Sequence, residues 1–186
     1  MTRETTDARA MIAFLRGLRA VRQFRPEPLP AAVLDDVLTV ARWTGSARNE
    51  QPWEFVVVRD REMLRALAGL EGTAPHLAGA AAGIVLVMAG NPRRVVHEIY
   101  DEGRLSERIM LAAAAHGVGA CIGWFSDEGI KDLKALLGIP EERLVRTALS
   151  LGYPDDTAAP RPSRAQPGRK PLSELVHWER YGQHAR

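Results

Sequence analysis

A chain of 186 residues, 46% hydrophobic and 26% charged, has the size and balance of one soluble domain able to bury a full core. Its 25 Lys+Arg against 23 Asp+Glu leave a net charge of +2, too small an excess to argue for nucleic acid; the pI near 9.0 fits local arginine clusters. A single cysteine, Cys121, excludes an internal disulfide and a multi-cysteine metal site.

The opening MTRETTDARAMIAFLRGLRAVR contains Asp and Glu and lacks the sustained apolar core of a signal peptide. Residues 5–18 carry Ala10, Ile12, Phe14, Leu15 and Leu18 on a loosely amphipathic helix, ended by Gly17 and RQFRPEPLP. LPAAVLDDVLTVARWT then sets Leu34, Val37, Leu38 and Ala41 at helical spacing, with Pro30 suited to a first turn. WEFVVV at 53–58 is a strand, because consecutive Val residues favour a pleated backbone. A short helix runs from an Asp60 cap to about Ala68.

GIVLVMA at 83–89 is a second continuous apolar strand; the window around it, LAGAAAGIVLVMAG, is too short to span a bilayer. The longest helix covers 93–117, with Leu105, Ile109, Ala112 and His116 on one stripe and Met110, Leu111, Ala114 and Ala115 widening the apolar surface. A helix apolar nearly all round suggests a subunit interface. GACIGWF at 119–125 is a strand, Ser126-Asp127 caps a helix that stops at Gly138, and VRTALSLGY at 145–153 is a fourth strand. PDDTAAPRPSRAQPGRKP follows without periodicity, yet the chain closes on LSELVHWERYG with apolar anchors. Such an arm is expected to reach a partner subunit. Helices and strands do not alternate regularly, so the class is α+β, one domain over 1–186 with an arm over 154–186.

The chemistry-bearing residues are few. The loop TGSARNEQPW places two side-chain amides, Asn49 and Gln51, beside Trp53, more hydrogen-bonding capacity than a plain connection needs. Arg19, Arg22 and Arg25 recur every third residue, and Arg169 and Lys170 form a second basic cluster. Each reads alone as a solvated face, whereas together they could neutralise a phosphate dianion. GVGACIG has its glycines between helix and strand, the reverse of a dinucleotide fingerprint. The plain reading is close backbone approach; the functional one is a ligand lying flat against N–H groups near Gly123. Cys121 reads as a buried thiol and His116 as a core or interface histidine. Asp101-Glu102 and Asp155-Asp156 form no acid–base pair, and His97-Glu98 is not completed to a metal motif because position 101 is Asp. No side chain is assigned a catalytic or metal-binding role.

Taken in order, LRAVRQFRPEPLP, TGSARNEQPWEFVVV, DEGRLSERIMLAAAAHGVGACIGWF, ALSLGYP and GRKPLSELV resemble the successive signature segments of the nitroreductase family of FMN-dependent oxidoreductases. The resemblance spans about Arg16 to Val176. It implies a mostly antiparallel sheet flanked by helices and a homodimer with FMN at the interface. By position, Arg19 and Arg22, with the intervening Ala20 and Val21, would hold the phosphate and ribityl end, helped by Arg169 and Lys170. Ser46 and Asn49 would come from the other subunit, with Gln51 beside the ring or ribityl chain. Backbone around Ile122 and Gly123 would face flavin N5. The implied reaction carries hydride from NADH or NADPH through flavin N5 to a nitroaromatic, quinone or enone, in a ping-pong cycle. Flavin fragmentation, dehalogenation, deazaflavin binding and FMN storage are the rival expectations. Three features depart from the pattern: Ala20 stands for the usual Ser, Gly45 for Pro, and ACIGWF is compressed so that Trp124 sits beside the flavin strand. A cytoplasmic protein without membrane or nucleic-acid partners is expected.

Overall fold

A computed structural model describes residues 7–159 and 168–184. The chain divides into two compact units, Met1–Asp156 and Thr157–Arg186. The start of the expected first helix and residues 160–167 of the expected arm lie outside the described residues.

The first unit is built on strands β1 (Trp53–Val58), β2 (Ala82–Met88), β3 (Gly119–Trp124) and β4 (Leu144–Gly152). They form one antiparallel sheet in the order β1-β2-β4-β3, which leaves β1 and β3 at its edges. All seven residues of β2 are buried, because alternate side chains feed two separate cores. Ile84, Leu86 and Met88, with Leu149 and Leu151, pack under helices α2 (Ala31–Arg42) and α4 (Val95–Ala115). Val85, Val87 and Val145 face Leu64, Leu67, Leu77 and Leu133 from α3 (Arg61–Gly69), the 3-10 turn Pro75–Gly79 and α5 (Asp127–Leu137). The α+β class and the antiparallel sheet are as the sequence indicates.

Local signals explain the boundaries. Asp60 accepts the Met63 N–H at 2.8 Å and Ser126 that of Gly129 at 3.2 Å, each satisfying a free donor at a helix start. Gly138, at φ 65°, ends α5 in the left-handed region. Pro30 caps α2 rather than entering it.

Two expectations change, and one expected helix stays clear of the core. Helix α1 (Ala8–Gly17) buries none of its residues, so its apolar side is not consumed by this chain's core. Helix α4 is not apolar all round: its buried line includes Glu98, Asp101, Glu102 and Ser106 beside Leu105 and Ile109. His116 is not a core residue: it is the exposed cap that follows the last residue of α4, Ala115, and its Nε2 lies 3.1 Å from Asp36. Among the described residues no helix is long and apolar enough to cross a membrane. The second unit holds one turn of helix, α6 (Leu172–Leu175), followed by a cluster in which the His177 ring lies 4.3 Å from those of Tyr181 and His184.

Candidate functional site

The free edge of β3 brings together one part of the sequence-derived residues, with the Arg19–Val21 segment running beside Ile122 and Gly123. The Phe125 N–H bonds the Arg146 carbonyl at 3.2 Å, so the hydrogen-bonded pairs of the β3–β4 ladder fall on residues 119, 121 and 123. Residues 120, 122 and 124 therefore turn their backbone groups outward. The Ala120 carbonyl accepts the Val21 N–H at 2.9 Å, within a parallel bridge between Ala20 and Ala120. At the other end Trp124 is closed by Thr73, whose N–H reaches its carbonyl at 2.6 Å and whose Oγ1 accepts its N–H at 2.9 Å. Between these two closures the Ile122 N–H has no partner among the described residues, and the residue is half-buried. A backbone donor left open on an otherwise finished edge is a ready seat for a flat acceptor group.

Gly123 and Gly119 have structural reasons of their own. A Cβ on Gly123 would sit 2.6 Å from the Ala74 Cβ, and one on Gly119 would meet Val21 at 2.6 Å. Both glycines let neighbouring segments close on β3, as the plain reading of GVGACIG holds. Cys121 is 1% exposed, and burial pushes its thiol pKa up while the nearby Arg22 guanidinium pulls the other way.

Arg19, Ala20 and Val21 run beside the start of β3. Arg19 and Val21, with Leu18, Gly119 and Ala120, line a cavity of about 370 Å³ that also reaches Ala114. The Arg19 Nη1 donates to the carbonyls of Arg16 and Leu18, at 2.8 and 2.7 Å, which caps α1 and leaves the rest of the fork exposed. Arg25 is not merely solvated: it pairs with Glu27 at 3.2 Å and lies over the Tyr153 ring.

The amide loop forms a second group. Ser46 Oγ accepts the Gln51 N–H at 2.9 Å, and the Gln51 side chain donates to the Asn49 carbonyl at 3.1 Å. Arg48, Asn49 and Gln51 all have φ near +50°, at 56°, 56° and 50°. Side chains rarely adopt that region, at a cost of about 1–3 kcal/mol each, so the loop stores strain of the kind found at binding sites. Arg104 and Arg108 hold the loop to α4 through the carbonyls of Gly45 and Trp43. The arginine segment instead meets α4 at Ala114, about 15 Å further along the axis from Arg104. No hydrogen bond among the described residues joins Arg19 or Arg22 to Ser46, Asn49 or Gln51. Arg169 and Lys170 lie in the second unit, both exposed.

Sequence reasoning missed two features. Thr73, which closes the edge, follows Gly72, whose φ of 156° and whose contact with Trp124 leave no room for a Cβ. The GT pair was a signal, but nothing near it in sequence names its partner. The other is Glu102, 2% exposed, which accepts Arg146 Nε and Nη2 at 3.1 and 2.7 Å.

Comparison with known proteins shows the family. The model of the nitroreductase family matches residues 15–89. The chain is 35% identical over 142 residues to a protein of Archaeoglobus fulgidus provisionally named an NADH dehydrogenase/NAD(P)H nitroreductase, covering 74% of this chain and 82% of that one. It is 26% identical to the oxygen-insensitive NADPH nitroreductase of Salmonella typhimurium, over 91% of this chain and 74% of the relative. Among solved structures, an FMN-dependent nitroreductase from Clostridium difficile superposes with a TM-score of 0.78 at 26% identity, covering 92% of this chain and all of that one. The chain belongs to the nitroreductase family and is an oxidoreductase.

Proposed function

We propose that the protein is an FMN-dependent NAD(P)H oxidoreductase that passes hydride to a small organic acceptor by a ping-pong cycle, as a homodimer with two shared sites. The observation that carries this is the Ile122 N–H, open on the edge of β3 between the Val21 and Thr73 closures. Flavin N5 is an acceptor that suits a single in-plane donor. Arg19 and Arg22, running beside the same strand, would meet the phosphate and the electron-rich end of the ring. Arg169 and Lys170 would add positive charge.

The separation of the amide loop from the arginine segment along α4 supports a site built from two chains. Ser46, Asn49 and Gln51 would then serve the flavin of the partner, and the strained loop is already stapled for that task. The bound FMN supplies the redox chemistry; this chain's residues bind it, orient it and stabilise charge. No acid or base is required of them.

The test is reconstitution. Purified protein incubated with FMN should quench flavin fluorescence and turn yellow, and NADH or NADPH should bleach it anaerobically. A colourless protein that takes up no FMN contradicts the proposal. Bound FMN that stays oxidised in excess NADH and NADPH would identify a storage protein instead.

A further inference from the structure

We infer that His76 is a positioning residue: with Ser150 it backs the Ile122 peptide from the buried side of β3 and strengthens its N–H as a donor. The inference rests on the FMN-dependent reading above.

His76 belongs to the 3-10 turn Pro75–Gly79 and is 3% exposed. An imidazole sealed in a core costs stability unless it is hydrogen-bonded there. Its Nδ1 lies 2.7 Å from the Oγ of Ser150, a fully buried residue of β4. Ser150 pairs with Cys121 across the ladder, and its Oγ also lies 3.5 Å from the Cys121 carbonyl oxygen. The other side of the ring rests on β3. A Cβ on Gly123 would lie 3.2 Å from the His76 Nε2, so the missing side chain helps to admit the ring.

These contacts converge on one peptide unit. The Cys121 carbonyl and the Ile122 N–H are the two ends of a single trans peptide, one aimed into the ladder and the other out to the open edge. Ser150 has one hydroxyl hydrogen for two neighbours. With a hydrogen on His76 Nδ1, the ring donates to Oγ and the hydroxyl donates in turn to the Cys121 carbonyl. Donors ordered in one direction polarise each other, by about 10–30% per bond. Charge drawn onto the Cys121 oxygen makes the Ile122 N–H a stronger donor toward the proposed seat of flavin N5. The reverse order, with the hydroxyl donating to Nδ1, would leave that carbonyl its ladder bond alone and end the chain. His76 acts only through Ser150 and the strand, at a distance from anything bound on the edge.

The experiment takes heteronuclear spectra of full-length protein labelled at isoleucine and histidine, before and after FMN is added. Long-range ring correlations of wild-type His76 should show the hydrogen on Nδ1. Ser150→Ala and His76→Leu should each move the Ile122 amide proton upfield even without FMN, and each should lower FMN affinity about threefold. The double variant should lose no more than either single one, because both cut the same chain. His76→Asn, whose side-chain amide nitrogen replaces Nδ1, should restore the shift and the affinity. A residue that merely filled space would be better replaced by Leu than by Asn, so the order of the two variants separates the roles. Thermal midpoints verify folding, and the wild-type ring correlations decide the matter if the variants do not fold. Hydrogen on Nε2 alone, an Ile122 amide unmoved in the folded variants, or Leu serving as well as Asn overturns the inference and leaves FMN uptake standing. Wild-type protein that takes up no FMN overturns the proposed function and the inference with it.

Discussion

Arg19 and Arg25 are six residues apart, both exposed and both cationic, yet their surroundings differ. Arg19 borders the cavity beside Gly119, while Arg25 is spent on Glu27 and Tyr153. Arg19→Ala should therefore cost about 1.5–3 kcal/mol of FMN binding, one to two decades in affinity, and Arg25→Ala far less. Fluorescence titration checks this; equal losses would remove the assignment. Cys121 makes a different prediction. Its folded pKa is raised, so both states hold a neutral thiol at low pH and its stabilising share is intact there. As pH climbs past about 8.5 the unfolded thiol ionises first and stability falls. Urea midpoints between neutral and alkaline pH should drop more steeply for the wild type than for Cys121→Ala; parallel curves would contradict the burial account.

At the level of elements, β3 is the decisive piece. Its ends are closed by Val21 and by Gly72–Thr73, and only the middle is open. A Cβ on Gly72 would lie 2.2 Å from the Trp124 carbonyl oxygen, so Gly72→Ala must push the segment off the edge. The expected loss is about 2–4 kcal/mol of stability, read by urea denaturation, together with weaker FMN binding. A neutral substitution would show that the closure is dispensable. The strands and helices were legible because each carries a local signal: the Val run of β1, the Asp60 and Ser126 caps, the stop at Gly138. The Thr73 closure and the Glu102–Arg146 pair were not. Each depends on residues at least 44 positions apart meeting in space, and no periodicity in either segment encodes its partner. The strain at Arg48 and Gln51 was hidden for the opposite reason, since neither residue type advertises a positive φ.

For the whole molecule, the exposed apolar side of α1, the residues of the arm and the distance between the amide loop and the arginine segment all argue for a second chain. Deleting residues from Pro154 onward should weaken dimerisation and FMN affinity together, seen by size-exclusion chromatography beside flavin titration. A truncated monomer that still holds FMN tightly would refute the shared site. The family was legible from the ordered motifs, whereas which of Ile122 and Gly123 carries the outward N–H was not. Ile122 and Gly123 are neighbours in sequence, and only the ladder tells that one turns outward and the other in. The most direct measurement is therefore an amide spectrum of isoleucine-labelled protein during FMN titration. The Ile122 N–H should shift strongly and become protected from exchange as FMN binds, while the ladder-bonded Ile84 amide of β2 moves little. FMN binding that leaves the Ile122 amide unmoved would contradict the account.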